Sequence, residues 1–267
     1  MPRATFDHQP EPRRSNGIVL ADITMEAPWR WLATGWHDLR RRPGLSLGYG
    51  LVLTTTGLAM AGLAWVSGYA AIIPAAAGAF MLVAPILALG LYEMSRHYAQ
   101  DATFTLKDIL GVKPASPLQL FYIGFGLMFL VLVWVRLASL LFAVFASGSY
   151  SSLSDFMAFL MSTPSGLALL VVGSLVGAVL AFVVFAVSAI SVPMLLDRDI
   201  DFMTAILTSI RAVRQNPGPM LLWAWIIAVF TGAGLAAGFV GLVVVFPLIG
   251  HATWHAYREL TSPSPSF

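Results

Sequence analysis

Two histidines one helical turn apart, His251 and His255 in HATWH, and one arginine, Arg136, inside the apolar run LMFLVLVWVRLASLLFAV are the residues here whose types and spacing invite chemistry. Side chains four apart share a helix face, so the two histidines could chelate a metal, with His97 and Glu93 as further ligands from another segment. The competing reading sets both histidines at a membrane boundary beside Trp254 and Tyr257, where aromatic and amphipathic residues gather. No third ligand stands at a fixed spacing, so neither a metal site nor a cofactor is expected. Arg136 lies four residues past Leu132, the midpoint of the whole apolar stretch Leu118 to Ala146, about 6 Å beyond the middle of the hydrocarbon. An arginine at a helix centre costs about 2.5–3.5 kcal/mol on insertion scales, and from this depth its guanidinium can snorkel outward. Of the 13 acidic residues only Asp155 falls on the same side of the membrane as the end toward which Arg136 leans. The expected partner is therefore Asp155 or, failing that, outer-leaflet phosphates, in a structural pair rather than a proton or substrate path. The acidic run DRDID, Asp197 to Asp201, precedes a helix pattern and reads as capping and dipole matching.

What is missing narrows the chemistry further. There is no cysteine, hence no disulfide, thiolate metal site or cysteine nucleophile. G-x-x-x-x-G-K-[ST], H-E-x-x-H and G-x-S-x-G do not occur, and the apolar runs hold no Asp or Glu well inside them, where ion-coupled transport usually needs such groups. No enzymatic activity is expected.

The elements that must position these residues are membrane helices. The chain is 58% hydrophobic and 10% charged, against roughly 25% charged in a soluble domain. A span needs about 20 apolar residues. Leu45 to Val66, Ala71 to Leu91, Leu118 to Ala146 and Gly166 to Leu196 qualify. The run Pro219 to Gly250 is too long for one helix and carries the glycine-dense TGAGLAAG, Thr231 to Gly238, a chain-turning signal. It reads as two spans, Met220 to Thr231 and Ala236 to Tyr257, six in all. With this layout every one of the 15 Lys and Arg residues except Arg136 lies on one side, which by the positive-inside rule puts both termini in the cytoplasm. The basic residues thus follow topology, and no nucleic-acid partner is expected. No apolar segment of secretory length follows Arg13-Arg14, so no cleaved signal is expected. Residues 1–27 read as a disordered cytoplasmic tail, 28–260 as the membrane domain and 261–267 as a flexible end.

WHDLRRRPGLSLGY at Trp36 and IRAVRQNPGPMLLW at Ile210 share a spacing, and each is preceded by an amphipathic pattern. Trp29, Leu32, Trp36 and Leu39 fall on one face, as do Phe202, Ile206, Ile210 and Val213. Such helices should lie in the headgroup plane, with Trp29, Trp31 and Trp36 as anchors and Trp29, Trp36, Arg40, Arg211 and Arg214 in contact with lipid. A looser third copy begins at Phe104, and prolines recur as Pro85, Pro193 and Pro247. The expected fold is all-α: a polytopic membrane helix bundle of six transmembrane helices, arranged as three parallel repeats of an interfacial helix plus a two-helix hairpin, over about 28–98, 101–198 and 199–258. GSLVG at Gly173 and GLAAG at Gly234 are small-xxx-small packing patterns.

The strings VPMLLDRDIDFMTAILTSIRAVRQNPGPMLLW and VVVFPLIGHATWHAYREL, with GLYEMSR at Gly90, resemble the bacterial integral-membrane family called domain-of-unknown-function family 2189, over roughly Trp29 to Leu260. The resemblance implies an inner-membrane protein of Gram-negative bacteria and supplies no catalytic residues. Some relatives carry labels tied to cytochrome oxidase, but a haem-copper catalytic subunit needs many histidines inside its spans. The expected role is a non-enzymatic scaffold, assembly factor or accessory subunit, with the bilayer and other inner-membrane proteins as partners. The alternatives are a small-solute or lipid transporter with a pathway near Arg136, and a metal- or haem-binding membrane protein.

Overall fold

The computed structural model describes residues 18–100, 102, 104–146, 150 and 152–261. Among these, twelve α-helices follow one another: α1 (Ala27–Arg41), α2 (Pro43–Val66), α3 (Ile73–Leu87), α4 (Leu89–Ala99), α5 (Leu106–Leu110), α6 (Pro117–Phe145), α7 (Leu153–Ser162), α8 (Pro164–Ser188), α9 (Ser191–Asp197), α10 (Phe202–Gln215), α11 (Pro217–Ala236) and α12 (Leu242–Thr261). Four of the long helices open on a proline, Pro43, Pro117, Pro164 and Pro217. Proline there forfeits no helical hydrogen bond and has its φ already set. It also pushes the residue before it out of the helical region, and Arg42, Ser116, Thr163 and Asn216 all sit outside it. That is why α1 and α10 stop short of the spans they precede.

Among the described residues five helical stretches are long and apolar enough to cross a membrane: Pro43–Val66, Ala70–Ala99, Pro117–Phe145, Pro164–Asp197 and Pro217–Ala236. The sequence pattern gives six. The sixth candidate, α12, has 20 residues but falls outside the apolar set because its second half reads HATWHAYREL. The turn ahead of it lies later than TGAGLAAG suggests, over 237–241, where Gly238 (φ 66°) and Phe239 (φ 69°) take left-handed conformations. Two stretches are broken at their inner ends. Pro193, which has no N–H to give, follows a break at Ala189-Ile190, and the Ile190 N–H donates instead to Ser209 Oγ at 3.2 Å. The break after Leu87 leaves its carbonyl open, and Tyr49 Oη donates to it at 2.6 Å.

The core gathers at the end of the bundle where the cations are. Arg41 donates to the Tyr98 carbonyl, Arg42 to that of Phe104, Arg96 to that of Leu196 and Arg198 to that of Thr261. At the centre of this head runs α12, with 12 of its 20 residues buried. Two glycines let its neighbours reach it: a Cβ on Gly35 of α1 would stand 2.7 Å from the Ala252 nitrogen, and one on Gly50 of α2 would collide with the Val243 carbonyl oxygen. By contrast, three of the 29 residues of α6 are buried, Leu120, Ile123 and Leu127.

Two expectations are corrected here. Trp31 lies on the buried face of α1 with Ala27, Pro28, Gly35, Asp38 and Leu39, whereas Trp29 and Trp36 are exposed. Trp31 is therefore no interface anchor; it packs edge-on against Trp223 at 5.6 Å and donates from Nε1 to Glu259 at 2.8 Å. Of the expected tail, residues 1–17 lie outside the described residues, but the segment 18–26 is held: the Ala21 N–H donates to the Leu260 carbonyl, and Ile23 and Ala21 bracket the Asn216 side chain.

Gly50→Ala should lower thermal stability in detergent by about 1–3 kcal/mol, the usual cost of overpacking. Gly126→Ala, where a Cβ meets nothing within 4 Å, should leave stability unchanged or raise it by up to about 1 kcal/mol through helix propensity.

Candidate functional site

α12 brings His251 and His255 to the α1–α4 seam, and there the two rings part. His251 is fully buried. Its Nε2 lies 3.0 Å from Ser46 Oγ on α2 and its Nδ1 lies 2.8 Å from Ser95 Oγ on α4. Ser95 gives its own proton to Asp38 Oδ2 at 2.7 Å. The same oxygen meets His255 Nε2 at 2.8 Å.

Proton counting fixes the direction of this chain. A serine has one O–H, and Ser95 spends it on the carboxylate, so it accepts from His251 Nδ1–H. In a neutral ring, which burial without a counter-charge in contact favours, Nε2 is then an acceptor; the one O–H of Ser46 is shared between it at 3.0 Å and the weaker thioether acceptor Met94 Sδ at 3.4 Å. Every donor points toward Asp38: Ser46 to His251 to Ser95 to Asp38, met from the other side by His255. Burial raises the Asp38 carboxyl, but the hydrogen bonds from His255 and Ser95 outweigh it and hold the group below its ordinary 3.8. His255 keeps 22% of its side chain exposed and His37 lies exposed beside Asp38, so the chain runs from solvent at the head to a buried hydroxyl on α2. What it offers chemically is a directed proton line and a four-helix clamp.

The metal arrangement weighed from sequence is not what these residues build. His97 Nδ1 contacts the Glu93 carbonyl at 3.0 Å, while the Glu93 carboxylate is held by Arg96 at 2.7 Å. No group of three or more His, Cys, Asp or Glu side chains that could hold a metal ion occurs among the described residues. DRDID divides its labour. Asp201 caps α10 as expected, accepting from the Thr204 N–H at 2.9 Å, whereas Asp197 accepts from Tyr257 Oη at 2.6 Å and Arg198 donates to Tyr257 and Thr261. Arg136 and Asp155 are both exposed and form no ion pair among the described residues. The expected pairing is thus absent, leaving phosphates as the expected alternative. Ser152 caps the Asp155 helix α7, its Oγ accepting from the Asp155 N–H. Trp29, Trp36, Arg40, Arg211 and Arg214 all lie exposed, with the Arg40 guanidinium 4.8 Å from the Trp36 ring.

Ser46, Ser95 and Asp38 carry the chain as much as the histidines do, and sequence reading passes over them. The one available signal was Asp38 in register with Trp31 and Gly35 on a helix face that otherwise favours burial.

Helices of this length and apolarity, closed at one end by a polar head, make this an integral membrane protein. It resembles one family in particular: the family model described as predicted integral membrane protein (DUF2189) matches residues 72–197. That stretch includes GLYEMSR, the string that supplies Glu93 and Ser95, and ends at Asp197, before the HATWH segment. No curated protein matches the chain. No solved structure matches it either.

Ser95→Ala strands the His251 N–H and should cost about 1–3 kcal/mol at neutral pH. Because the folded Asp38 value is depressed, its contribution is complete above 3.8 and is lost as pH falls through the lower folded value. Thermal melts of Asp38→Asn should therefore start less stable at pH 7 and lose less than wild type on acidification below about pH 4.

Proposed function

We propose that this protein acts by lateral association in the bacterial inner membrane, as a non-enzymatic scaffold, assembly factor or accessory subunit. The carrying observation is the contrast between its two ends. The head is tightly packed and hydrogen-bonded around α12, whereas the spans leave broad apolar flanks, as on α6, where Phe125, Phe129 and Leu132 are exposed. A transport pathway would have needed Arg136 inside a central polar space, and Arg136 lies exposed on α6.

For topology the proposal is six spans, both termini cytoplasmic, and three related units. Support comes from α12 itself. Polar residues at membrane depth are tolerated when they face the bundle, and His251, Thr253 and Trp254 are buried there. The start of α11 and the end of α12 both meet residues 21–23, as expected of a helix that returns. The order of amphipathic helix, proline-led span and returning helix occurs at α1–α2 and again at α10–α11.

The absence of cysteine gives a clean background for labelling. In intact cells a membrane-impermeant maleimide should modify Val240→Cys and reach Arg258→Cys only after permeabilisation; labelling of Arg258→Cys from outside would refute the six-span layout. For association, a photoreactive amino acid at Phe125 or Leu132 should give one protein adduct of defined mass in cells. Adducts to lipid alone at both positions would overturn the association reading.

A further inference from the structure

The α2–α3 hairpin does not close on itself. α2 packs along α12 and α3 along α6 and α8, while the two arms barely touch each other. Between them lies a cavity of about 420 Å³, within the usual size of a small-ligand site. Its walls are apolar, with Leu53, Gly57 and Ala61 on one arm, Phe80 and Val83 on the other, and Val131 of α6 and Leu242 of α12 also lining it. The single hydroxyl in its lining, Thr56 Oγ1, is already donating to the Val52 carbonyl at 2.8 Å. An occupant therefore needs no polar group.

The shape of the opening decides which apolar occupant fits. At the far end the arms are joined by the chain itself, through the turn and the short 3-10 segment Ala70–Ile72. At the head end Tyr49 reaches across from α2 to the Leu87 carbonyl, and Phe246 stacks on Tyr49 and leans on Phe80 at 5.9 Å. The space is a window closed above and below. A spanning helix, about 10–12 Å across with its side chains and needing the whole hydrocarbon depth of about 30 Å, cannot thread it. A single hydrocarbon chain can. From Leu53 to Ala64 the wall rises about 17 Å at 1.5 Å per residue, close to the roughly 15 Å that one leaflet contributes to the hydrocarbon core.

We propose that this window holds one acyl chain of a phospholipid from the leaflet opposite the head, and that the chain is a fixed part of the packed structure. The proposal stands independently of what the protein associates with. The test uses wild type and variants in nanodiscs of phosphatidylethanolamine and phosphatidylglycerol containing a phosphatidylethanolamine with a mid-chain diazirine. Photolabelling, read by mass spectrometry, should concentrate in residues 53–83, fall at least five-fold in Ala61→Phe, and stay unchanged in Leu175→Phe on the exposed face of α8. Native mass spectrometry of the wild-type protein after detergent exchange should show one retained phospholipid, a reading that does not depend on any variant folding. Labelling of 53–83 no stronger than along the exposed α8 face at Val171 and Val179, labelling undiminished in Ala61→Phe, or a wild-type protein that keeps no lipid would each overturn it. So would a protein adduct formed in cells from a photoreactive residue at Met60.

Discussion

One buried imidazole sets the terms for the rest of this molecule. His251 has no solvent to turn to, so both its nitrogens must be satisfied by protein, and the two serines that do so come from α2 and α4. Ser95 passes the demand on to Asp38 of α1, and Asp38 is held in turn by His255. Four helices, with partners as far as 217 residues apart in the chain, are thereby fixed in register by one directed line of hydrogen bonds. In a low-dielectric interior such a line is worth most when complete and costs most when broken. The glycines at 35 and 50 serve it, since only close approach of α1 and α2 to α12 brings Asp38 and Ser46 within reach.

Around that line the molecule divides in character. At the head, apolar burial, the Trp31–Trp223 contact and side-chain hydrogen bonds to broken helix ends all act together. Deeper in the membrane the helices separate into an α2–α12 side and an α3–α6–α8 side. Lipid gives helices little reason to cluster, because hydrocarbon solvates Leu and Val as well as a neighbouring helix does. Polar groups supply the reason, and here they are concentrated at one end.

How much of this the sequence discloses follows from the same physics. The five long apolar stretches and the amphipathic helices ahead of Pro43 and Pro217 are written in composition and period, and the structure carries them. The face of α1 is harder to read. Its apolar stripe through Trp29 and Trp36 is real but exposed, and the buried stripe is Ala27, Trp31, Gly35 and Asp38. Counting apolar residues cannot reveal that a glycine and an aspartate point inward, because their reason lies on α12 and α4. The hydrogen-bond line was half visible, in the spacing of His251 and His255. The serines were not, since a lone Ser has no pattern. Arg136 was legible as an oddity, and its setting on an open helix face was not, because helix-to-helix distance has no local signature.

The stitching of the first described segment to the last helix has a consequence for how the chain is made. Ala21 bonds to Leu260, Trp31 to Glu259 and Asp38 to His255, so more than 200 further residues must emerge from the ribosome before α1 meets its permanent neighbour. Until then an aspartate and a tryptophan that end up buried must wait at the membrane surface, and contacts of such sequence separation form late. The final helix thus acts as a keystone: its arrival converts a row of inserted spans into one cooperative object, and a ribosome stalled before it leaves behind something a quality-control protease can recognise by its loose first helix.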